Sequence, residues 1–383
     1  MTANGMNFRS RKYGDHQGWR PDRLFPTISD ALDRPYSHVV LTTKAIPELQ
    51  TTPSLLHPLL SPPYADTHPQ PTYVLMQNGL NVEVALYDAL KKLKPQEEPR
   101  IISTAVWIGT GLLDKNLVEH NEFDRVSLGV YRPPSPSGSI SPPTENTPSE
   151  AALLASFADM LAQGGSETTV VHEIQRVKFA KNLWNSVLGA AAALTRLSLR
   201  DVFRPPHLAP GYPSPPPPES QSESTSARAS ASERATAKIP RASEAIGLYT
   251  IPFLYDTLTE VHTLGTVLFP PSFSGCSSHS PSSDGDGGGD GAGAPAVPGL
   301  DPSLALKTLA NTARLHARPD STHLPSMLMD VQAGRPMEVE HVVGEVVRMG
   351  RAAGVDVPRM EALYALLLVM QNQLLRQQRE GGS

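Results

Sequence analysis

One cysteine, Cys276, stands in the whole chain of 383 residues. It excludes an intrachain disulfide framework and a cysteine-based zinc cluster, and it fits a reducing compartment. No basic run is present, and 33 Lys and Arg against 38 Asp and Glu give a net charge of −5. A nucleic-acid binder would carry an electrostatic footprint that is missing here. Met1–Arg23 is polar with no apolar stretch, so no secretory signal is expected. The longest apolar run, near Ala362–Met370, falls far short of the roughly 20 residues that cross a bilayer. These absences predict a soluble, cytoplasmic protein with neither nucleic acid nor membrane as partner.

What is abundant is proline, 38 residues, and glycine, 28. Three segments gather them with serine: Pro133–Glu150, Pro205–Arg241 and Pro270–Pro298. Such compositions bury too little apolar surface to offset the entropy of ordering, so they read as linkers or disordered insertions. Cys276 lies in the last of them. So do Asp284, Asp286 and Asp290, whose spacing is calcium-like, but Gly287–Gly289 and the lack of a glutamate at the twelfth position make solvated linker the better reading.

Between these segments the patterning changes along the chain. His38–Thr43, Tyr73–Gln77, Ile101–Ile108 and Val126–Val130 read as strands, and Asn81–Lys94 as an amphipathic helix. Strands alternating with helices predict an α/β unit with a parallel sheet. From Ala151 onward the pattern is mostly helical; Val339, Val342, Val343, Val346 and Val347 lie on one face at the 3.6-residue period. The expected organisation is therefore an α/β domain over residues 1–132, a linker over 133–150 and a helical domain over 151–383, with disordered insertions at 205–241 and 270–298.

Several motifs fail their tests. A dinucleotide-binding domain opens with a strand, a G-x-G-x-x-G turn and a helix that holds the pyrophosphate. Nothing before His38 fits, and Gly109-Thr-Gly111 carries Asp114 where the third glycine belongs, so it reads as an ordinary turn. The twelve histidines show no metal-ligand spacing; His172, His262, His316, His323 and His341 read as helix-surface or cap residues, and no metal is expected.

Other stretches are more informative. In a predicted helix, Phe179, Leu183 and Val187 form an apolar stripe, and Lys181 and Asn185, four apart, share another face. A lysine and an asparagine presented together could polarise a carbonyl and bind an alcohol. Lys178 and Asn182 repeat the spacing, and a solvated helix face accounts for either pair. Farther on, Pro325 suits the first turn of a short helix that Gly334 stops, and Pro336 suits N1 of the next. Ser326, Asp330 and Glu338 then point toward one corner, with Glu338 in a first turn where the helix dipole favours its charge; capping alone is the competing reading, above all for Asp330. Thr42-Thr43-Lys44-Ala45 and Gln77-Asn78-Gly79 each end a strand, where open α/β sheets bind ligands, although turn roles would also explain them.

In this order these stretches resemble the ketopantoate reductases (2-dehydropantoate 2-reductases), of a fungal type with low-complexity insertions. The likeness covers roughly His38–Tyr131, Val170–Arg204 and Pro302–Met370; Ser326–Glu338 is its most specific part, and Ala193-Leu194-Thr195 fixes the helix register. The resemblance implies an incomplete Rossmann-like NADP-binding domain, lacking the first strand and glycine loop, followed by a helical domain of the 6-phosphogluconate-dehydrogenase type. It implies NADPH as cofactor and reduction of 2-dehydropantoate to pantoate in pantothenate biosynthesis. Lys181 would be the general acid and Glu338 the second catalytic residue. Asn185, Ser326, Asn78 and Asp330 would bind substrate, and Lys44 and Asn78 the nicotinamide end of the cofactor. Gly189 replaces a family asparagine. A reductase of another 2-oxo acid, or a non-catalytic relic that binds a partner or forms a homodimer, are the alternatives.

Overall fold

The computed structural model describes residues 5–133, 145–208, 230–271 and 297–381. Its first half is a seven-stranded sheet: β1 (Met6–Ser10), β2 (His16–Trp19), β3 (His38–Leu41), β4 (Thr72–Leu75), β5 (Ile101–Asp114), β6 (Leu117–Val130) and β7 (Glu167–Val170), in the order β2-β1-β6-β5-β4-β3 with β7 also paired to β6. The all-parallel expectation is met at β3, β4 and β5, and β6 is parallel to β1 and β7, but β5 and β6 form an antiparallel hairpin and β1 and β2 are antiparallel. The reason is local. Lys115-Asn116 makes a two-residue turn between two 14-residue strands, and a turn that short can only reverse the chain. Gly109–Gly111 accordingly lies inside β5 rather than in a turn.

Alternation along the buried strands feeds two cores. Tyr73, Leu75 and Ile101 pack on Leu86 and Leu90 of α1 (Val84–Leu93), whereas Val74, Ile102, Val126 and Leu128 pack on Leu154, Phe157 and Ala158 of α2 (Pro148–Gln163). Helices on both faces are what a continuous apolar strand such as β4 demands. α2 begins in a segment that reads as linker, because Thr147 and Glu150 form a reciprocal capping box with Pro148 at the first helical position. With β7 it completes the sheet unit, so that unit runs on to Val170, past the boundary expected at 132–151.

The second half is helical: α3 (Ile174–Trp184), α4 (Ile251–Leu268), α5 (Leu304–Ala317), α6 (Ser326–Gln332), α7 (Glu345–Ala353) and α8 (Pro358–Gly381). One core joins them, and the five valines from Val339 to Val347 are all buried in it. The insertion read over 205–241 is ordered at its end: Ser230 caps a short helix, Ala231–Thr236, and Thr236 is buried. Cys276 and the three aspartates at 284, 286 and 290 lie outside the described residues. His316 is fully buried rather than on a helix surface, donating from Nδ1 to the Thr312 carbonyl. Among the described residues no helix is long and apolar enough to cross a membrane, and no group of side chains is arranged to hold a metal ion.

Candidate active site

The helix that carries Lys181 does not end at α3. It passes through a π turn, Asn185–Gly189, into a further helical stretch, Ala190–Thr195. Phe179, Leu183 and Val187 are fully buried and anchor it. The π turn widens the helix at Asn185 and leaves it facing a cleft; such bulges recur at functional sites. The two lysines of the helix separate cleanly. Lys178 and Asn182 point inward, Lys178 to Glu83 and Asn182 Nδ2 to the Val342 carbonyl at 2.8 Å. Lys181 points instead to the junction with the sheet.

There Lys181 Nζ donates to Asn78 Oδ1 at 2.7 Å, and the Trp107 ring lies 5.9 Å from Nζ. Asn78 reaches this position because the turn around it is tied down twice. Gln77 Nε2 donates to the Thr43 carbonyl and hydroxyl, each at 3.1 Å. Leu80 N donates to the His341 carbonyl at 2.8 Å, and His341 Nδ1 bonds the Leu80 carbonyl at 3.0 Å. Gly79 sits between with φ +94°, and a Cβ there would stand 2.6 Å from His341 Cβ. Only glycine combines that backbone with that approach.

Glu338 is buried, and its Oε1 accepts from the Ala45 amide at 3.1 Å. Its helix begins at Val339, three residues later than a start at Pro336; the Glu338 carbonyl accepts the first helical bond, from Val342 N at 3.0 Å. Glu338 is thus the capping residue, and Pro336 precedes the helix. Burial raises its pKa above the ordinary carboxylate range, as does the charge of Asp330, while the Ala45 amide, Lys44 and Asn78 oppose the rise. Burial likewise lowers Lys181 to about 8, helped by the charge of Lys178 and opposed by that of Glu338.

Asn78, Asn185, Ser326 and Glu338 line one narrow cleft with Trp184, Gly189, Pro325, Met327 and Val342. Four of the expected residues therefore share a site, and Lys181 meets it through Asn78. Asp330 does not line it. Its side chain is buried, bonded to Lys44 on one oxygen and to Arg335 on the other at 3.2 Å. It holds Lys44 and the α6 turn, as capping would require, and, expected as a substrate ligand, it lies outside this cleft's lining. Sequence reasoning missed the apolar wall of Trp184, Met327 and Val342, which carries no motif, and the Trp107 ring.

A nicotinamide dinucleotide needs backbone donors at a helix N-terminus for its pyrophosphate. Among the described residues no G-x-G-x-x-G turn joins a strand to a helix; ahead of β3 stand the antiparallel strands β1 and β2. The described groups fit the substrate end of such a site, with Lys44 and Asn78 just past the carboxyl ends of β3 and β4, and do not fit the pyrophosphate end.

Two family descriptions match the chain: "Ketopantoate reductase PanE/ApbA" over residues 1–133 and "Ketopantoate reductase PanE/ApbA C terminal" over residues 291–371. An uncharacterized Saccharomyces cerevisiae protein is 23% identical over 214 residues, 52% of this chain and 55% of its own length; the match thus spans about half of that curated relative. Among solved structures, the 2-dehydropantoate 2-reductase of Methylococcus capsulatus superposes with a TM-score of 0.59 at 18% identity, covering 97% of this chain and 86% of its own. That of Geobacter metallireducens GS-15 gives 0.60 at 17%, covering 96% and 87%. A D-mandelate dehydrogenase with NADH and anilino(oxo)acetate gives 0.57 at 14%, covering 97% and 86%. At these identities the likeness establishes the fold: a Rossmann-like sheet domain followed by a helical domain.

Proposed function

The chain belongs to the ketopantoate reductase family of oxidoreductases, and from that premise we propose that its cleft binds a 2-oxo acid, 2-dehydropantoate foremost, and supplies the proton for NADPH-dependent reduction to pantoate. The observation that carries this reading is the Lys181–Asn78 contact beside the cleft that Glu338, Asn185 and Ser326 line. NADPH supplies the hydride in such a reduction. The protonated Lys181 Nζ hydrogen-bonds the ketone oxygen, offsets the charge that grows there and gives up its proton. Asn78 holds Nζ in place without neutralising it. Asn185 and Ser326 bind the carboxylate and hydroxyl, and Glu338 accepts a hydrogen bond from the substrate hydroxyl. Lys44 and Asn78 lie at the nicotinamide end.

A second reading, reduction of a bulkier 2-oxo acid, is favoured by Gly189. A Cβ built there meets only Met327 Sδ, at 3.8 Å, so the cleft wall is recessed beside the apolar side chains.

Purified chain assayed at millimolar NADPH with 2-dehydropantoate and with an aryl 2-oxo acid tests both readings. The first expects the higher kcat/KM for 2-dehydropantoate; the reverse order selects the second. Turnover of neither by a folded chain overturns both and leaves a binding or dimerising module. NADPH itself is expected to bind more weakly than micromolar, because no pyrophosphate turn stands among the described residues; micromolar or tighter binding would contradict that.

A further inference from the structure

A fully buried ion pair lies one helical turn from Lys181. The Lys178 ammonium is bonded to Glu83 Oε1 and donates to Ser103 Oγ at 3.2 Å, and the Ser103 hydroxyl donates to the same Glu83 oxygen. The Lys178 and Glu83 side chains are 3% and 0% exposed. Three elements meet here: Glu83 at the N-terminus of α1, Ser103 on β5 and Lys178 on α3. The second Glu83 oxygen, Oε2, is buried without a partner.

Such a pair is expensive. Desolvation of two ions consumes most of their attraction, and a well-packed apolar pair of similar volume would stabilise the junction as well or better. Packing alone therefore does not account for charge here, and none of the three side chains lines the cleft.

We propose that Lys178 is a positioning residue, anchored by Glu83 and Ser103, that fixes α3 on the sheet and keeps a positive charge beside Lys181, making the Lys181 ammonium a readier proton donor. Residues three apart on a helix are neighbours, so the two ammonium groups lie on adjoining turns. Glu338, Asn78 and the Trp107 ring face Lys181 from the other elements. Burial lowers the Lys181 pKa most, the Lys178 charge adds to that, and Glu338 opposes it. The inference rests on Lys181 as the proton donor, but the arrangement is a property of the protein without substrate.

The test is an NMR titration of the Lys181 Nζ signal in the full chain, with the signal assigned by its loss in Lys181→Arg. In the double variant Lys178→Met, Glu83→Gln both ions become neutral groups of similar size, and the midpoint is expected to rise by about one pH unit. An unchanged or lower midpoint in a folded double variant overturns the proposal. Should the double variant not fold, Lys178→Arg decides: it keeps a charge that burial cannot remove, so the Lys181 midpoint must stay low, and a rise toward the ordinary lysine value overturns the proposal. The reductase reading fails separately, through absent turnover in the unaltered chain, which leaves these midpoints untouched.

Discussion

Lys181 and Asn78 belong to different domains and meet at 2.7 Å. The partner is a neutral amide, so the contact orients the ammonium without giving it a counter-charge. Burial, helped by the charge of Lys178, therefore holds Lys181 at about 8. It also makes the site depend on how the Gln77–Gly79 turn docks on the helical domain.

The pH profile of reduction follows from this. The acid must be protonated, so kcat/KM is expected to hold below about pH 8 and fall above it, tracking Lys181. An ordinary lysine would carry the activity up to about pH 10. A profile flat to pH 10 would remove Lys181 from the proton-transfer role.

Two glycines are expected to respond to alanine in opposite ways. Gly79→Ala places a methyl group against His341 at a φ of +94°, and strain plus clash should cost about 1–3 kcal/mol and most of the activity. Gly189 has helical angles, φ −63° and ψ −43°, and its Cβ direction is nearly open. Gly189→Ala should therefore stabilise by about 0.5–1 kcal/mol while narrowing the cleft. Urea unfolding of both variants checks the pair of signs.

Asp330→Asn removes the one anion shared by Lys44 and Arg335. Both cations are well exposed, so solvent screening discounts the loss, and about 1–2 kcal/mol is expected from the buried side of the contact. If Asp330 acts through Lys44 and not in the chemical step, kcat should change less than KM, as Lys44 loosens. Equal falls in kcat and kcat/KM would place Asp330 among the groups that act in the transition state.

His316 is buried, and burial holds its pKa below the ordinary value. Its folded-state pKa is thus depressed relative to the unfolded chain. The stability tied to the neutral ring is fully present above about pH 6.5 and is lost as pH falls toward the folded-state value. Tm should drop between pH 7.5 and pH 5.5 (roughly one unit either side of the unfolded value) by less in His316→Gln than in the unaltered chain. Equal drops would mean that other groups set the acid sensitivity.

Much of this was legible from residue types. The five valines at helical spacing, the buried run of β4 and the stop at Gly334 are local patterns with one physical solution each; β3 reads as a buried run too, but only Leu41 in it is buried and Val40 is exposed. Gly334 does take the left-handed conformation expected of it, φ +66°. The register of the two lysines was not legible by spacing, since both pairs lie four apart; burial of Lys178 against Glu83, 95 residues away in sequence, separates them, and no local pattern encodes a partner at that distance. The antiparallel β6 was missed because only Val126–Val130 carries the apolar signal; the outer part of the hairpin is largely exposed. α2 was split by a boundary because proline and serine read as linker although Thr147, Pro148 and Glu150 together spell a helix start. The cleft's apolar wall comes from three separate stretches that only the fold assembles.

The most direct test of the central claim is 2-oxo-acid-dependent oxidation of NADPH by the purified chain, compared with Lys181→Met at saturating substrate and millimolar cofactor. The expected result is turnover that requires the 2-oxo acid and falls by about 10²–10⁴-fold in the variant, with the variant still folded because only a partly buried cation has been removed. Equal turnover in both proteins, or none in a folded unaltered chain, would contradict the account.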